Sequence, residues 1–419
     1  MKILIYCQNY APELTGIGKY TGEQAQWLAA RGHEVRVVCA PPYYPAWRVS
    51  DGYSAWRYAR HASEGHGGVT VYRAPVWVPR KPSGLLRILH LMSFALSSLP
   101  CMAAQLRWRP DVIFAVEPTL MCSPAALLLG SCTRARTWLH VQDLEVDAAF
   151  ALGVLRHPLL RRLATRMERA LTTRYHRVST ISQAMADALR AKGVSPARLQ
   201  LLPNWADLHE APADAALAFR HGLGIPADAV IALYAGNMGN KQGLEVLADA
   251  AQALQGHPRI HMVLCGDGSG RAALQARCDG LARVHFLPLQ PQAQFHAMMA
   301  AADMHLLPQR ADAADLVMPS KLTGMLASRR AVIATAQPDT ELGRLVARVG
   351  VLVPPGDAGA LAHAIATLAC QPQRRAMHAT AGRAWAEAHL GRDAVLAQLE
   401  CALQALVSPP AAQDASAVA

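Results

Sequence analysis

Val230-Ile231-Ala232-Leu233-Tyr234-Ala235-Gly236-Asn237-Met238-Gly239-Asn240-Lys241-Gln242-Gly243 is the stretch on which the fold turns. Its first six residues form an unbroken apolar run, the pattern of a strand buried on both faces of a parallel sheet. The glycines of the following turn let backbone approach a ligand closely. Lys241, placed where a helix is to begin, adds an ammonium to the amide donors facing a diphosphate. The rhythm continues downstream, with strands expected at Ile260–Cys265, Val284–Leu287, Met304–Leu307, Val332–Thr335 and Val349–Val353, and helices from Lys241 and Arg271. Upstream, Ile3–Cys7, Glu34–Ala40, Val69–Arg73, Asp111–Val116, Thr137–Val141 and Arg177–Ile181 read as strands, and 18–31, 84–106, 119–130, 159–175 and 182–192 as helices. Such alternation is the signature of an α/β chain with doubly wound parallel sheets, here built twice.

Between the halves, Pro203–Pro226 breaks the rhythm with prolines and turn residues. The expected organisation is a first domain at 1–205, a linker at 206–226, a second domain at 227–390, a closing helix at 391–407 and a disordered tail at 408–419. Two open α/β domains are expected to bind ligands at the carboxyl ends of their strands. The opening Met1–Tyr6 reads as a buried strand rather than a signal peptide. Nine cysteines without C-x-x-C spacing fit reduced thiols in cytoplasm and no structural zinc.

Charge is unevenly divided. Residues 1–205 hold 25 Lys+Arg against 12 Asp+Glu, net +13, whereas 206–419 hold 16 against 18, net −2. The first half therefore faces something anionic. Its densest basic run, Arg156 to Arg177, has no helix-turn-helix, zinc-knuckle or ribonucleoprotein signature nearby, so an anionic membrane or pyrophosphate-lipid surface ranks ahead of nucleic acid. Ile88–Leu106 lacks Lys, Arg, Asp and Glu, but His90, Ser93, Ser97, Ser98, Pro100 and Gln105 interrupt it. That favours a core helix with one face resting on the membrane, or a wholly buried helix, over one that spans.

Other candidate residues follow the strands. Gly16 and Gly18 lie in the turn after the first strand; Thr21 stands where a dinucleotide fingerprint needs glycine, and a plain strand-to-helix turn fits the same residues. Gly236 and Asn237 sit in the decisive turn, and Gly266-Asp267-Gly268-Ser269-Gly270 would lie beside them. Asp315-Leu316-Val317-Met318-Pro319-Ser320-Lys321 precedes a further helix, where Lys321 is either a second diphosphate cation or a solvated surface lysine. Asp143 ends a first-domain strand as an acceptor-side carboxylate or a helix cap, and Glu117, His140 and Gln142 are neighbouring candidates.

Over nearly its whole length the chain resembles glycosyltransferase family 4, retaining enzymes of the GT-B fold with two Rossmann-like domains facing a cleft. The resemblance rests on Pro12-Glu13 with Gly16 and Gly18, Leu202-Pro203-Asn204-Trp205, Ala235-Gly236 with Lys241-Gln242-Gly243-Leu244, Cys265-Gly266-Asp267-Gly268, and Gly350-Val351 through Pro355-Gly356-Asp357. Tyr6–Glu13, His140–Leu144 and Ala311–Thr323 look most like exopolysaccharide transferases of the colanic acid type, proposed fucosyltransferases. Two departures stand out. The family's acidic pair, spaced by seven residues, falls on Leu316 and Gly324, leaving Asp315 as the nearby acid, and a usual Gly-x-Pro is replaced by Arg329-Arg330-Ala331.

The resemblance implies a donor site in the second domain made of Gly236, Asn237, Lys241, Gly266, Gly268, Asp315, Leu316, Val317 and Lys321, with Gly16 and Gly18 reaching it from the first. Lys241 and Lys321 would neutralise the leaving diphosphate without a metal or other cofactor, and Asp143 would complete the catalytic set. The implied partners are a nucleotide sugar, GDP-fucose first, an undecaprenyl-linked saccharide acceptor and an anionic membrane surface, with no nucleic acid. The implied location is cytoplasmic, peripheral at the inner membrane. Two other classes share this architecture: a nucleotide-sugar 2-epimerase, and an inactive membrane-docked partner of a polysaccharide assembly complex.

Overall fold

The computed structural model describes residues 1–13, 16–62, 68–80, 84–118, 120–144, 158–208, 212–239, 242–311 and 319–408. The chain divides into two compact units, Met1–Pro203 with Asp393–Ala419, and Asn204–Arg392.

The first unit holds eight strands: β1 (Lys2–Tyr6), β2 (Glu34–Cys39), β3 (Ala59–Ala62), β4 (Val69–Arg73), β5 (Val112–Glu117), β6 (Arg136–Val141), β7 (Arg177–Thr180) and β8 (Leu199–Leu201). They lie in the order β3-β4-β2-β1-β5-β6-β7-β8. All neighbours are parallel except β3, which runs antiparallel to β4 along the edge. Every residue of β5 is buried, as a strand covered on both faces requires. Register pairs Ile3 with Val35 on one side and Val112 on the other, and Glu117 with Val141, which aligns the carboxyl ends of β5 and β6.

The second unit is a six-stranded, wholly parallel sheet of β9 (Val230–Ala235), β10 (Ile260–Cys265), β11 (Val284–Leu287), β12 (Met304–Pro308), β13 (Ala331–Thr335) and β14 (Val351–Val353). The order is β11-β10-β9-β12-β13-β14, so the winding reverses between β9 and β12. In an open α/β sheet that reversal opens a crevice at the carboxyl ends of the two strands.

The α/β class, with two doubly wound sheets, is as the sequence implies, and several boundaries differ. The helix expected over 84–106 is two, Gly84–Ser97 and Leu99–Ala104, because Pro100 in the first turn of the second cannot donate to the turn before it. The helix expected from Lys241 is Glu245–Ala253, with Lys241 itself outside the described residues. Val349 closes the helix Glu341–Val349 instead of opening β14. Within the stretch read as a linker, 206–226, Ala213–Gly222 is a helix of the second unit. Arg220 holds it there, bonding Asp303 Oδ2 at 2.5 Å and the carbonyl of Ala229 at 2.9 Å.

The closing helix is Arg392–Val407, and from Asp393 onward it belongs to the first unit. Glu400 ties it there, accepting from Arg31 Nε at 2.9 Å and pairing with His33 Nε2 at 2.8 Å. Residues 409–419 of the expected tail lie outside the described residues.

Candidate functional site

In the second unit the ends of β9 and β10 lock two glycine turns together. Gly236 donates to the carbonyl of Cys265 at 3.0 Å, Met238 to that of Asp267 at 2.8 Å, and Gly270 to that of Met238 at 2.7 Å. A side chain on Gly266 would put its Cβ 1.9 Å from the Gly236 carbonyl oxygen, and one on Gly268 would lie 2.7 Å from that of Met238. Both residues also have φ near +150°, so glycine is required at each on two counts.

Lys321, which follows β12, reaches into the same turn. A Cβ on Gly236 would come within 3.3 Å of the Lys321 Cδ, so that glycine leaves the lysine its berth. The ammonium donates to Gln242 Oε1 at 3.1 Å and to the Tyr234 hydroxyl at 3.4 Å, and stands 4.6 Å from the Tyr234 ring centroid. The Tyr234 hydroxyl in turn donates to the Asn237 carbonyl at 2.6 Å, fixing its lone pairs toward the lysine. Both acceptors are neutral, and no ion pair among the described residues engages Lys321. Burial pushes its pKa down from 10.5 to about 8. The result is a half-buried cation at the switch point, held by groups that do not balance its charge.

Lys241, Asp315, Leu316 and Val317, also expected at this site, lie outside the described residues. Tyr234 and Gln242 as lysine partners are additions that sequence reading did not single out, although both stand inside the stretch that decided the fold.

In the first unit, four neighbouring strands, β2, β1, β5 and β6, send their carboxyl ends to one edge. Glu13 organises that edge. Its buried carboxylate accepts from the Tyr43 and Tyr44 amides, each at 3.0 Å, and from Asn9 Nδ2 at 3.0 Å; burial still raises its pKa above the ordinary carboxylate value. Gly16, with φ +61°, begins the helix Gly16–Ala30. Gly18 has a packing reason to be glycine, since a Cβ there would lie 2.5 Å from Glu13 Oε2. Both belong to the first unit.

Glu117 ends β5 and is buried, and Gln142 and Asp143 follow β6 directly. Asp143 is half-buried, and after burial its charge is the next cause of the raised Tyr44 pKa. His140 lies inside the sheet, with Nδ1 bonded to Ser179 Oγ at 2.9 Å, and burial lowers its pKa to about 3. It is neutral at physiological pH and too weak a base to take a proton there. Among the described residues no three His, Cys, Asp or Glu side chains gather to hold a metal ion.

The architecture is that of the GT-B glycosyltransferases, two parallel-sheet α/β units. Residues 15–205 match the glycosyl transferase 4-like domain and residues 229–371 the glycosyl transferases group 1 domain. The chain is 45% identical over 410 residues, covering 95% of itself and 98% of the relative, to WcaI of Escherichia coli (strain K12), a protein named for glycosyl transfer in colanic acid biosynthesis. Among solved structures it is similar to the sucrose-phosphate synthase of Thermosynechococcus elongatus, with TM-score 0.74, 19% identity and 97% and 99% of the two chains covered. It is also similar to Anabaena HepE in complex with UDP, with TM-score 0.67, 18% identity and coverage of 97% and 100%. The chain belongs to this glycosyltransferase family and is a glycosyltransferase.

Proposed function

We propose that this enzyme moves a sugar from a nucleotide diphosphate sugar, GDP-fucose first and another GDP-sugar next, onto an undecaprenyl-linked saccharide during exopolysaccharide assembly of the colanic acid type. One observation carries the donor half of the reading: Lys321, a half-buried ammonium whose partners among the described residues are neutral, beside the Gly236 turn. A diphosphate supplies the missing countercharge. As the glycosidic bond to it breaks, negative charge grows on the leaving group where the lysine already stands, which is electrostatic preorganisation. Lys241 joins it as the second cation, so the charge is met without a metal or other cofactor. Gly236, Asn237, Gly266 and Gly268 bring backbone to the phosphates, and Asp315, Leu316 and Val317 belong to the same donor set.

Asp143 takes the proton of the acceptor hydroxyl, with Glu117, Gln142 and His140 on the acceptor side, and the reaction retains anomeric configuration. A titration of nucleoside diphosphates by thermal shift tests the donor site, because a ligand of the folded state raises stability by mass action. GDP release from a panel of nucleotide sugars, offered with a lipid-linked acceptor, tests the donor; turnover of UDP-sugars alone removes GDP-fucose.

The first unit docks on the cytoplasmic face of an anionic inner membrane. Leu85, Leu89, Met92, Leu96 and Leu99 are exposed at spacings of four, three, four and three, one stripe of a helix pair whose His90 and Phe94 lie in the core. A stretch seated in the core on one face rests on a membrane rather than crossing it, although Gly84–Ala104 is long and apolar enough to span. The helix Pro158–Thr172 repeats the arrangement, with Leu160, Leu163 and Met167 exposed and Arg161, Arg162, Arg166 and Arg169 on the same helix. In the second unit the exposed large hydrophobics among the described residues are Leu217, Leu289, Phe295 and Met377, which lie on separate elements. Sedimentation with anionic vesicles, released by salt and lost when the four arginines become Gln, checks the reading; protein left in the supernatant at low salt refutes it.

A further inference from the structure

A cavity of about 570 Å³ opens at the amino-terminal ends of β6 and β7. Gln142 and Asp143 follow the other end of β6, beside Glu117 at the end of β5, and the six residues of β6 set the two ends about 20 Å apart. The cavity is therefore separate from the edge assigned to the reaction.

Its lining combines three leucines, Leu127, Leu128 and Leu171, with three arginines, Arg134, Arg136 and Arg174. Among the described residues no Asp or Glu lines it, and no ion pair engages any of the three arginines. His176 adds a donor. The Thr137 amide donates to its Nδ1 at 3.1 Å, so the neutral ring carries its proton on Nε2. Burial and the charges of Arg136 and Arg198 lower its pKa and keep it neutral.

The apolar lining continues outward. Leu171 lies four residues beyond Met167 on Pro158–Thr172, extending the exposed run Leu160, Leu163, Met167 at helical spacing into the cavity. Leu128, 66% exposed, sits on the neighbouring helix Ser123–Thr133. A ligand matching both sets of residues carries a compact anion and hydrocarbon.

We infer that this cavity binds the phosphate headgroup of one anionic membrane phospholipid, the acyl chains lying along Leu128, Leu171 and Met167. The inference rests on the membrane-docking reading, which it sharpens from a diffuse basic surface to a single stereospecific site. The arginines pair with the phosphodiester oxygens through forked N–H donors, and no covalent step is involved.

The test uses the full chain and monomeric dihexanoyl phosphatidylglycerol below its micellar concentration, followed by calorimetry, with anionic vesicles in a parallel sedimentation assay. The expected result is saturable one-to-one binding of the monomeric lipid. It is weakened at least tenfold in Arg134→Gln/Arg136→Gln/Arg174→Gln and in Leu128→Ser, whose residue is exposed and whose change leaves folding intact. It is unchanged in Arg161→Gln/Arg162→Gln/Arg166→Gln, which removes the same charge and weakens only vesicle docking. Vesicle binding without saturable monomer binding overturns the pocket and leaves docking standing. Monomer binding without vesicle binding overturns docking and leaves the pocket. Competition by inorganic phosphate as strong as by the lipid overturns the assignment to a lipid headgroup.

Discussion

Raising the pH from 7 to 9 is expected to weaken nucleoside diphosphate binding about tenfold, and the reason is Lys321. In the free protein its pKa is lowered to about 8 by burial. A bound diphosphate favours the ammonium, so the pKa in the complex lies higher and binding above pH 8 takes up a proton. The sign follows. Below pH 8 the lysine is already charged and affinity is flat. Above it, each pH unit costs about 1.4 kcal/mol, a factor of about ten, until the pKa of the complex is reached. Calorimetry at pH 7, 8 and 9, in buffers of different ionisation heat, reads both the affinity and the proton uptake, which should be about half a proton at pH 8. Lys321→Gln should lose the slope, together with about 1.5–3 kcal/mol of binding at pH 7, the range for a hydrogen bond to a charged group. That control separates Lys321 from any titration of Lys241. A flat affinity from pH 7 to 9 without proton uptake, or a Gln variant with unchanged affinity, refutes the donor-site assignment.

Lys321→Met should stabilise the ligand-free protein by about 1–3 kcal/mol at pH 7, because it removes a buried charge that no acid among the described residues pairs; urea unfolding should show the gain shrinking as pH rises through 8, where the wild-type lysine is already neutral. Gly266→Ala should cost about 3 kcal/mol or more, since the added carbon meets the Gly236 carbonyl at 1.9 Å, and a melting temperature within a degree of wild type would contradict the interlocked turns. Asp143→Asn should lower kcat by about 10²–10⁴ with nucleoside diphosphate affinity unchanged, and a full-speed variant would remove Asp143 as the base. Glu400→Gln should cost about 1–2 kcal/mol, less than a fully buried pair because Arg31 is 54% exposed, and the loss should appear as protease sensitivity of the first unit.

The strand pattern was open to sequence reading because parallel strands buried on both faces leave continuous apolar runs, as in β5 and β9. The edge elements were not. β3 is Ala-Arg-His-Ala, mostly exposed and antiparallel, with no apolar period to betray it, and β8 has three residues. The helix within the expected linker was hidden for a related reason. Prolines at 203, 212 and 226 flank it and read as a break, and its fixing contact, Arg220 to Asp303, spans 83 residues. At the site, motif spacing indicated Lys321 and the glycines. It did not reveal that Gly18 answers to Glu13, or that His140 is held neutral inside the sheet, because both follow from contacts between distant segments.

The buried charges of this chain divide by how they are satisfied, and that division separates scaffold from site. Glu13 is met by three donors at 3.0 Å, two of them backbone amides, so it braces the loops after β1 and β2. Glu168 is met by Lys192 at 2.7 Å and joins two helices of the first unit. In both places the fold supplies the compensation that a buried charge needs. Lys321 breaks the pattern, since its fixed partners are an amide oxygen and a hydroxyl while Gly236 leaves room for its side chain. A cation serving only the fold would be paired, or replaced by a residue without a charge to desolvate. One kept charged, enclosed and unpaired by any acid among the described residues fits a site that an anion is to complete, and the cost to the ligand-free protein is the preorganisation that the leaving diphosphate then uses.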